Sequence, residues 1–573
     1  MRRAAGRLAR VGAIGLTAAI GLPVALLVPA SVLDRGPSGE SRASFFPIAL
    51  TLLDPLVWSC ARNSLIVAAI VTLGSLGLGV ALARAVGPWR FWGRRPLAAL
   101  AWAPMAVAPA FAAVGLARVF PPGAIGRRLA AATGNALLFE VPWDVWISWG
   151  LLVWAGVAAA TPVVALSVGS ALGRVDPSWV DAGRALGASR RRAWRALVWP
   201  ILRPEVARTL AAVFAAALLD PGAPIVLGLR RTLVVPMVEA ATGGGLPARA
   251  AALALLGLGL ALLGRVLIRA WGGSRVDVDP HDRDDPPPRA GGARVVASAV
   301  GLSAWIAVGL TPLAGLVGIV VGAFDAGGGG GEGEGWVVAA ASVVYRLIDP
   351  DTALLWRNAL GLGLAATLVA ALLVRALARP ADPSRRLGPR ASVAILAFER
   401  TPPLVLGIAL ALCPGLLETA ADRLGIPVLH RLAAWLDPIR WPGVLLIVAT
   451  AASRLPTLAR AADRADVRSR PVLADAARGL GATRRQARRV GGGRGVGRGV
   501  LALTFALAAT SVAPALVLSP TSRTRTVGPG LVLAAADPPR AAALALGAVA
   551  LNLIGLAAAR RGPSGPAGDW FRG

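Results

Sequence analysis

Residues 60–83 read CARNSLIVAAIVTLGSLGLGVALA, and residues 352–374 read TALLWRNALGLGLAATLVAALLV. As helices rising about 1.5 Å per residue, both are long enough to cross a hydrocarbon core of about 30 Å. Each gathers its charge at one end, and the same four positions recur there. Arg62-Asn63-Ser64-Leu65 returns as Arg357-Asn358-Ala359-Leu360, an offset of 295. One stretch therefore points to a membrane, and the pair points to a duplication.

Both signals hold outward along the chain. Of 573 residues, 56% are hydrophobic and 16% charged, with a mean hydropathy of +0.65. A soluble globular protein carries about 25% charge, so this chain cannot cover a water-facing surface. The 60 basic residues, all arginine, outnumber the 30 acidic ones. That excess could suggest nucleic acid, but the arginines fall in short clusters between apolar runs, the layout of a polytopic membrane protein. Two cysteines, Cys60 and Cys413, and two histidines, His281 and His430, exclude a disulfide scaffold and a Cys/His metal cage.

Windows of about 20 apolar residues predict spans at 11–33, 60–83, 97–119, 145–171, 204–226 and 249–268, then 295–323, 352–374, 391–413, 441–459, 499–518 and 540–559. The expected fold is all-α and polytopic, with about 12 transmembrane helices in two parallel sets of six. The Gly- and Pro-rich stretches at 219–228 and 508–520 are candidates for broken helices. Roughly 42 arginines fall on one set of alternate loops and roughly 18 on or near the other, which puts both termini in the cytoplasm. The first apolar run imitates a secretory signal. Its repeat partner at 295–323 cannot be one, so it reads as a span.

The duplication keeps its register. Pro109, Pro162, Pro177, Gly187 and Thr232 recur at an offset of 294 as Pro403, Pro456, Pro471, Gly481 and Thr526. The expected organisation is a first half over 1–270, a polar cytoplasmic linker over 271–294 and a second half over 295–573. Gly327–Gly331 reads as a loop on the opposite face.

The longest cytoplasmic loop of each half carries one pattern: Asp181-Ala182-Gly183, three residues, Gly187, then Trp194 and Pro200 in the first, and Asp475-Ala476-Ala477, three residues, Gly481 in the second. A short helix is expected from Asp176-Pro177, with Asp as N-cap and Pro in the first turn. Gly183 and Gly187 are four apart, so on a continuous helix they share one face and leave it bare for a partner's groove. Trp194 is expected to anchor the helix and Pro200 to end it.

At these residues the chain resembles the membrane-spanning permease subunits of ABC importers. Their hallmark is Glu-Ala-Ala, three residues, Gly, then an aromatic and a Pro. Asp181, Gly183, Trp194 and Pro200 match that pattern, whereas the second loop puts Arg488 and Arg494 at the aromatic and Pro positions. Two halves in one chain look most like the ferric-iron and thiamine type, and Asp220-Pro221-Gly222-Ala223-Pro224 resembles a segment seen there; its second-half counterpart, Val512-Ala513-Pro514-Ala515-Leu516, lacks the acid. The resemblance implies coupling loops that dock on paired ATPase subunits. It also implies an extracytoplasmic substrate-binding protein and a place in the inner membrane among its lipids, with no nucleic-acid partner and no enzyme activity of the chain's own. Iron(III) is the first substrate expected; thiamine, polyamine, phosphonate and inorganic-anion permeases share the architecture.

With no lysine the chain has no phosphate-loop Lys, so ATP is expected to be used by separate subunits, with no cofactor or metal held here. No catalytic triad can be drawn from two histidines. Among charges in the spans, Asp220 and the pair Glu399-Arg400 are candidates for the translocation path. The plainer reading makes Asp220 a helix cap and lets the pair neutralise each other. A major-facilitator-type secondary transporter also has twelve spans in two halves, but its marked loop falls between the second and third spans of a half, not the fourth and fifth. A membrane-embedded enzyme would need an interfacial carboxylate or His cluster, and the sequence shows none.

Overall fold

The computed structural model describes residues 23–35, 41–86, 104–133, 142–172, 177–243, 247–273, 335–377, 401–437, 442–467, 498–519, 521–534 and 537–561, with isolated positions elsewhere. The expected linker from residue 274 on, the Gly327–Gly331 loop, Glu399 and Arg400 lie outside them, whereas the linker's first two residues, Trp271 and Gly272, belong to the last helix of the first half. So do Asp475, Ala476, Ala477 and Gly481, with Arg488 and Arg494.

The first half opens with α1 (Pro23–Val32) and a short antiparallel hairpin, β1 (Leu33–Arg35) with β2 (Ser41–Ala43). It continues through α2 (Phe46–Leu53), α3 (Pro55–Val86), α4 (Pro109–Val119), α5 (Pro122–Thr133) and α6 (Trp143–Leu172). After α7 (Pro177–Ala185), a run made of α8 (Arg190–Ala193), a π turn (Trp194–Val198) and α9 (Trp199–Leu218) leads to α10 (Gly222–Val226), α11 (Val234–Thr242) and α12 (Pro247–Gly272). In the second half the described helices are α13 (Gly335–Ile348), α14 (Pro350–Leu377), α15 (Pro403–Leu424), α16 (Pro427–Leu436) and α17 (Pro442–Val467). They are followed by α18 (Arg498–Ala509), α19 (Ala513–Leu518), α20 (Val527–Leu533) and α21 (Pro538–Arg561).

Among the described residues seven helices are long and apolar enough to cross a membrane, and four shorter apolar helices join them. Every expected span overlaps one of these eleven except 295–323, which lies almost wholly outside the described residues. Boundaries move: the helix expected over 391–413 runs from Pro403 to Leu424, the one that closes the expected span 97–119 opens only at Pro109, and the one expected from 204 already begins at Trp199. Cys413 lies inside the Pro403–Leu424 helix, and both cysteines are free and buried.

The repeated residues do the same local work in each half. Pro109 and Pro403 open α4 and α15, each after a residue in extended conformation, because Pro is preset for the first helical position and needs no N–H there. Pro162 and Pro456 lie inside α6 and α17. Asn63 Nδ2 donates to the Arg231 carbonyl (3.1 Å), and Asn358 Nδ2 donates to the carbonyls of Arg523 (2.8 Å) and Arg525 (3.1 Å). Asn therefore ties the second-span helix of each half to the turn after the helix break. Ser64 Oγ adds a bond from the Leu233 N–H (2.9 Å) that Ala359 cannot make. The third residue of each last helix is an Arg facing an Asp, Arg249 with Asp54 (3.4 Å) and Arg540 with Asp351 (4.0 Å).

The two stretches marked as candidate breaks are broken. In the first half α9 stops at Leu218 and α10 restarts at Gly222; in the second α18 stops at Ala509 and α19 restarts at Ala513. The packing across halves is reciprocal. α10 lies on α20 and, in exchange, α11 lies on α19; outside this exchange α12 meets α15. The buried core follows suit: Phe111 and Val107 of the first half cluster with Val512, Leu531 and Ala541, and Leu218 and Met237 cluster with Leu404 and Ile408. An arrangement in which patch i meets j and j meets i is that of a two-fold axis, here between unequal halves of one chain.

Candidate functional site

The first marked loop folds into an elbow. α7 begins at Pro177 and ends at Ala185; Asp176, the expected N-cap, lies outside the described residues. Gly187 has φ of +85°, the left-handed region that glycine enters without steric cost. The Gly187 N–H donates to the Arg184 carbonyl (2.9 Å) and the Ala188 N–H to the Gly183 carbonyl (3.1 Å). These two bonds are the Schellman pair that satisfies a helix end. Ser189 then caps the next helix, its Oγ accepting from the Arg192 N–H (3.3 Å). The spacing Gly183–Gly187 thus encodes a stop and a reversal.

This corrects the expected bare face. A Cβ on Gly183 would lie 3.1 Å from Ala193 Cβ and 3.3 Å from Leu197 Cδ1, so that side is filled by the chain's own returning helix. Gly187 sits beyond the helix, and nothing lies within 4 Å of where its Cβ would be. The expected role of Pro200 is also corrected. It does not end a helix: it is the second residue of α9, directly after the π turn in which the Trp199 N–H reaches back five residues to the Trp194 carbonyl. Pro200 has no N–H to place in the ladder, and a local π turn is one way a helix absorbs such a gap.

Trp194 stacks on Trp199 at 6.1 Å, Trp199 meets Trp271 of α12 edge-on at 5.9 Å, and the Arg203 guanidinium lies 5.3 Å over Trp271. Trp179 and Val180 of α7 pack on the same cluster with Ala171 and Leu172 at the end of α6. Trp194 is thereby joined to three elements of the membrane domain. Asp181 and Ala182 face outward, and Asp181 makes an exposed pair with Arg184 at 3.7 Å. Beside them Ser189, Arg191, Arg192, Arg195 and Ala196 line an open cleft of about 370 Å³.

The second cluster of interest is the meeting of the breaks. Asp220 Oδ1 accepts the Gly222 N–H (3.3 Å), the cap of the plainer reading. A Cβ on Gly222 would stand 2.6 Å from Ala110 Cβ and 3.3 Å from Val512 Cγ1, so the first break touches both the third-span helix of its own half and the break of the other. Behind this point Asn552 Nδ2 donates to the Ala106 carbonyl (2.9 Å) while its Oδ1 accepts from Thr510 Oγ1 (3.2 Å), a buried polar link between halves. A further charge, absent from the candidates drawn from sequence, is Arg454 in α17. Its Nη2 donates to the Leu507 carbonyl (2.7 Å) just before the second break. The signal was present: an Arg inside an apolar run, with Ala160 at the repeat position. Among the described residues no group of His, Cys, Asp and Glu could hold a metal ion.

A helical membrane domain of two related halves, broken at the axis and carrying a surface elbow, has the build of a transport protein's membrane component. The comparisons agree. The chain is 27% identical over 226 residues to the probable molybdenum ABC transporter permease protein of Haloferax volcanii, covering 39% of this chain and 79% of that one. It is 34% identical over 152 residues to a probable ABC transporter permease protein of Sinorhizobium fredii, covering 26% of each. It is 27% identical over 202 residues to the sulfate transport system permease protein of Salmonella typhimurium, covering 34% of this chain and 67% of that one. No protein-family profile matches the chain. The chain is related to ABC transporter permeases and, like them, is a multi-pass membrane component and not itself an enzyme. None of these three names carries the iron(III) expected from the resemblance.

Proposed function

We propose that this chain is the translocation subunit of an ATP-driven importer for a small inorganic oxyanion of the sulfate or molybdate kind. Two of the relatives are named for molybdenum and for sulfate, which favours an oxyanion over the iron(III) first expected. ATP is used by separate ATPase subunits, two copies on the two-fold geometry, and substrate arrives from an extracytoplasmic binding protein. On this reading the chain lies in the cytoplasmic membrane with both termini inside, residues 271–294 link the two halves, and the path runs where the two breaks meet.

The observation that carries the coupling role is the elbow. α7 is held by a Schellman turn at its end and by the packing of its Trp179 and Val180 in one cluster with Trp194 and Trp199, and Trp199 in turn meets Trp271. A push on α7 is therefore transmitted into α9 and α12 without crossing a loose joint. The arginine-lined cleft beside it suits an acidic rim on an ATPase. Asp475, Ala476, Ala477 and Gly481 are the corresponding second docking loop.

The test is uptake of labelled sulfate and molybdate into proteoliposomes. Accumulation is expected only when the chain, ATPase subunits, loaded binding protein and ATP are all present. Uptake by the chain alone under a proton or sodium gradient would instead establish a secondary transporter. Transport of a cation with neither oxyanion moved would overturn the substrate.

A further inference from the structure

In a membrane segment a charged side chain is a candidate functional group by default, and its partner is the first thing to find. Arg454 lies within the apolar stretch Gly443–Ala459 of α17. Its one hydrogen bond goes to the Leu507 carbonyl, which the break leaves available because the Ser511 N–H turns to Ala508 instead. Among the described residues no carboxylate pairs with Arg454, whereas Arg208, Arg249, Arg346 and Arg540 all have one. Its Nε is buried with no acceptor.

One turn earlier on the same face stands Thr450, fully buried. A helical Thr normally turns its hydroxyl onto the carbonyl four residues back, and Thr72, Thr161, Thr419 and Thr504 all do so. Thr450 does not, and its Oγ1 has no partner among the described residues; Thr352, Thr367 and Thr526 share this, but none of them stands one turn from a buried arginine Nε that is also without a partner. Two buried donors with nothing to donate to thus stand at i and i+4, beside the second break. A buried polar atom without a partner is a few kcal/mol unfavourable, so such a pair calls for an acceptor from outside the chain. The repeat positions are Gly156 and Ala160, and Gly156 is packed against Val71. Only one side of the axis carries the pair.

We propose that Arg454 and Thr450 form an oxyanion subsite on the translocation path, which receives a tetrahedral dianion as it passes the second break. This rests on the anion reading above. The guanidinium offers a planar fork of donors to two oxygens of such an ion, and the Thr450 hydroxyl offers a third. A single positive charge against a dianion holds it without matching its full charge, which suits a site that must also release.

The test uses the assembled transporter in proteoliposomes and reads labelled sulfate moved per ATP hydrolysed. This ratio separates the path from the capture step, which belongs to the binding protein. Arg454→Gln keeps a donor for the Leu507 carbonyl and removes the charge; it is expected to lower the ratio about tenfold. Arg454→Lys should stay within about threefold of the original. Thr450→Val, nearly the same shape, should lower it about threefold to tenfold. An unchanged ratio in Arg454→Gln and Thr450→Val, with the unmodified transporter moving sulfate, would overturn the subsite and leave the anion reading standing. Arg454→Gln at full activity with Arg454→Lys impaired would make Arg454 a helix cap and overturn it equally. If the unmodified transporter moves neither sulfate nor molybdate, the anion reading falls first and the subsite with it.

Discussion

At Gly187 the backbone, with φ of +85°, sets the requirement on the side chain. Counting four positions from Gly183 puts both on one face only if the helix continues, and the backbone at Gly187 has already turned left-handed. The two explanations make opposite predictions. If a bare surface were needed, any side chain at 187 would harm coupling. Because positive φ is the requirement, Gly187→Asn should retain most activity, since Asn tolerates this region, whereas Gly187→Val should destabilise the elbow by about 1–2 kcal/mol. Binding-protein-stimulated ATP hydrolysis by the assembled complex is the measurement. Equal loss in both would restore the bare-face account. Gly183 obeys the other rule: with Ala193 and Leu197 already at 3.1 and 3.3 Å, even Ala there must push the returning helix outward.

The elements most legible in the sequence were those marked by backbone chemistry. The Gly/Pro-rich stretches announced the breaks, because both residues act on their own local backbone; Pro109 and Pro403, read only as repeat markers within the spans 97–119 and 391–413, open helices instead. Contacts between distant residues were not legible. Nothing in the apolar run 441–459 reveals that Arg454 finds a carbonyl 53 positions away, nor that Trp271 closes a stack begun at Trp194. Two predictions belong at this scale. Trp→Ala in a closed core is worth about 3–5 kcal/mol; Trp194 is only partly buried, so Trp194→Ala should fall below that range. It should lower transport per ATP more than it lowers the melting temperature, because α7 would stay folded but lose its grip on α9. Asn63→Leu and Asn358→Leu should each destabilise the detergent-solubilised protein by about 1 kcal/mol, as thermal unfolding would show. Loss at only one of them would mean that the repeated hydrogen bond is not repeated in its energetics.

For the whole molecule, the twelve-span reading with inward termini makes a binary prediction. Reporter fusions at residue 280 should report the cytoplasmic side and fusions at residue 330 the other. The same side for both would remove the equality of the halves. That equality is close in architecture, where α10 against α20 mirrors α19 against α11. It is loose in chemistry: Asp220 has no acidic counterpart among Val512–Leu516, and Arg454 faces Ala160 across the repeat.

The reciprocal packing of the breaks has a consequence for how such a channel can diversify. In a pore assembled from two copies of one chain every substitution is written twice, palindromically, so a single arginine is not an available state; the choice is none or two. Two would clamp a dianion from opposite walls and make a trap. A chain that carries both walls in one reading frame is released from that constraint. It can be handed, with a wet, basic wall on one side and a plain, close-packed one on the other, and the strength of a station along the route can be set in steps of one charge.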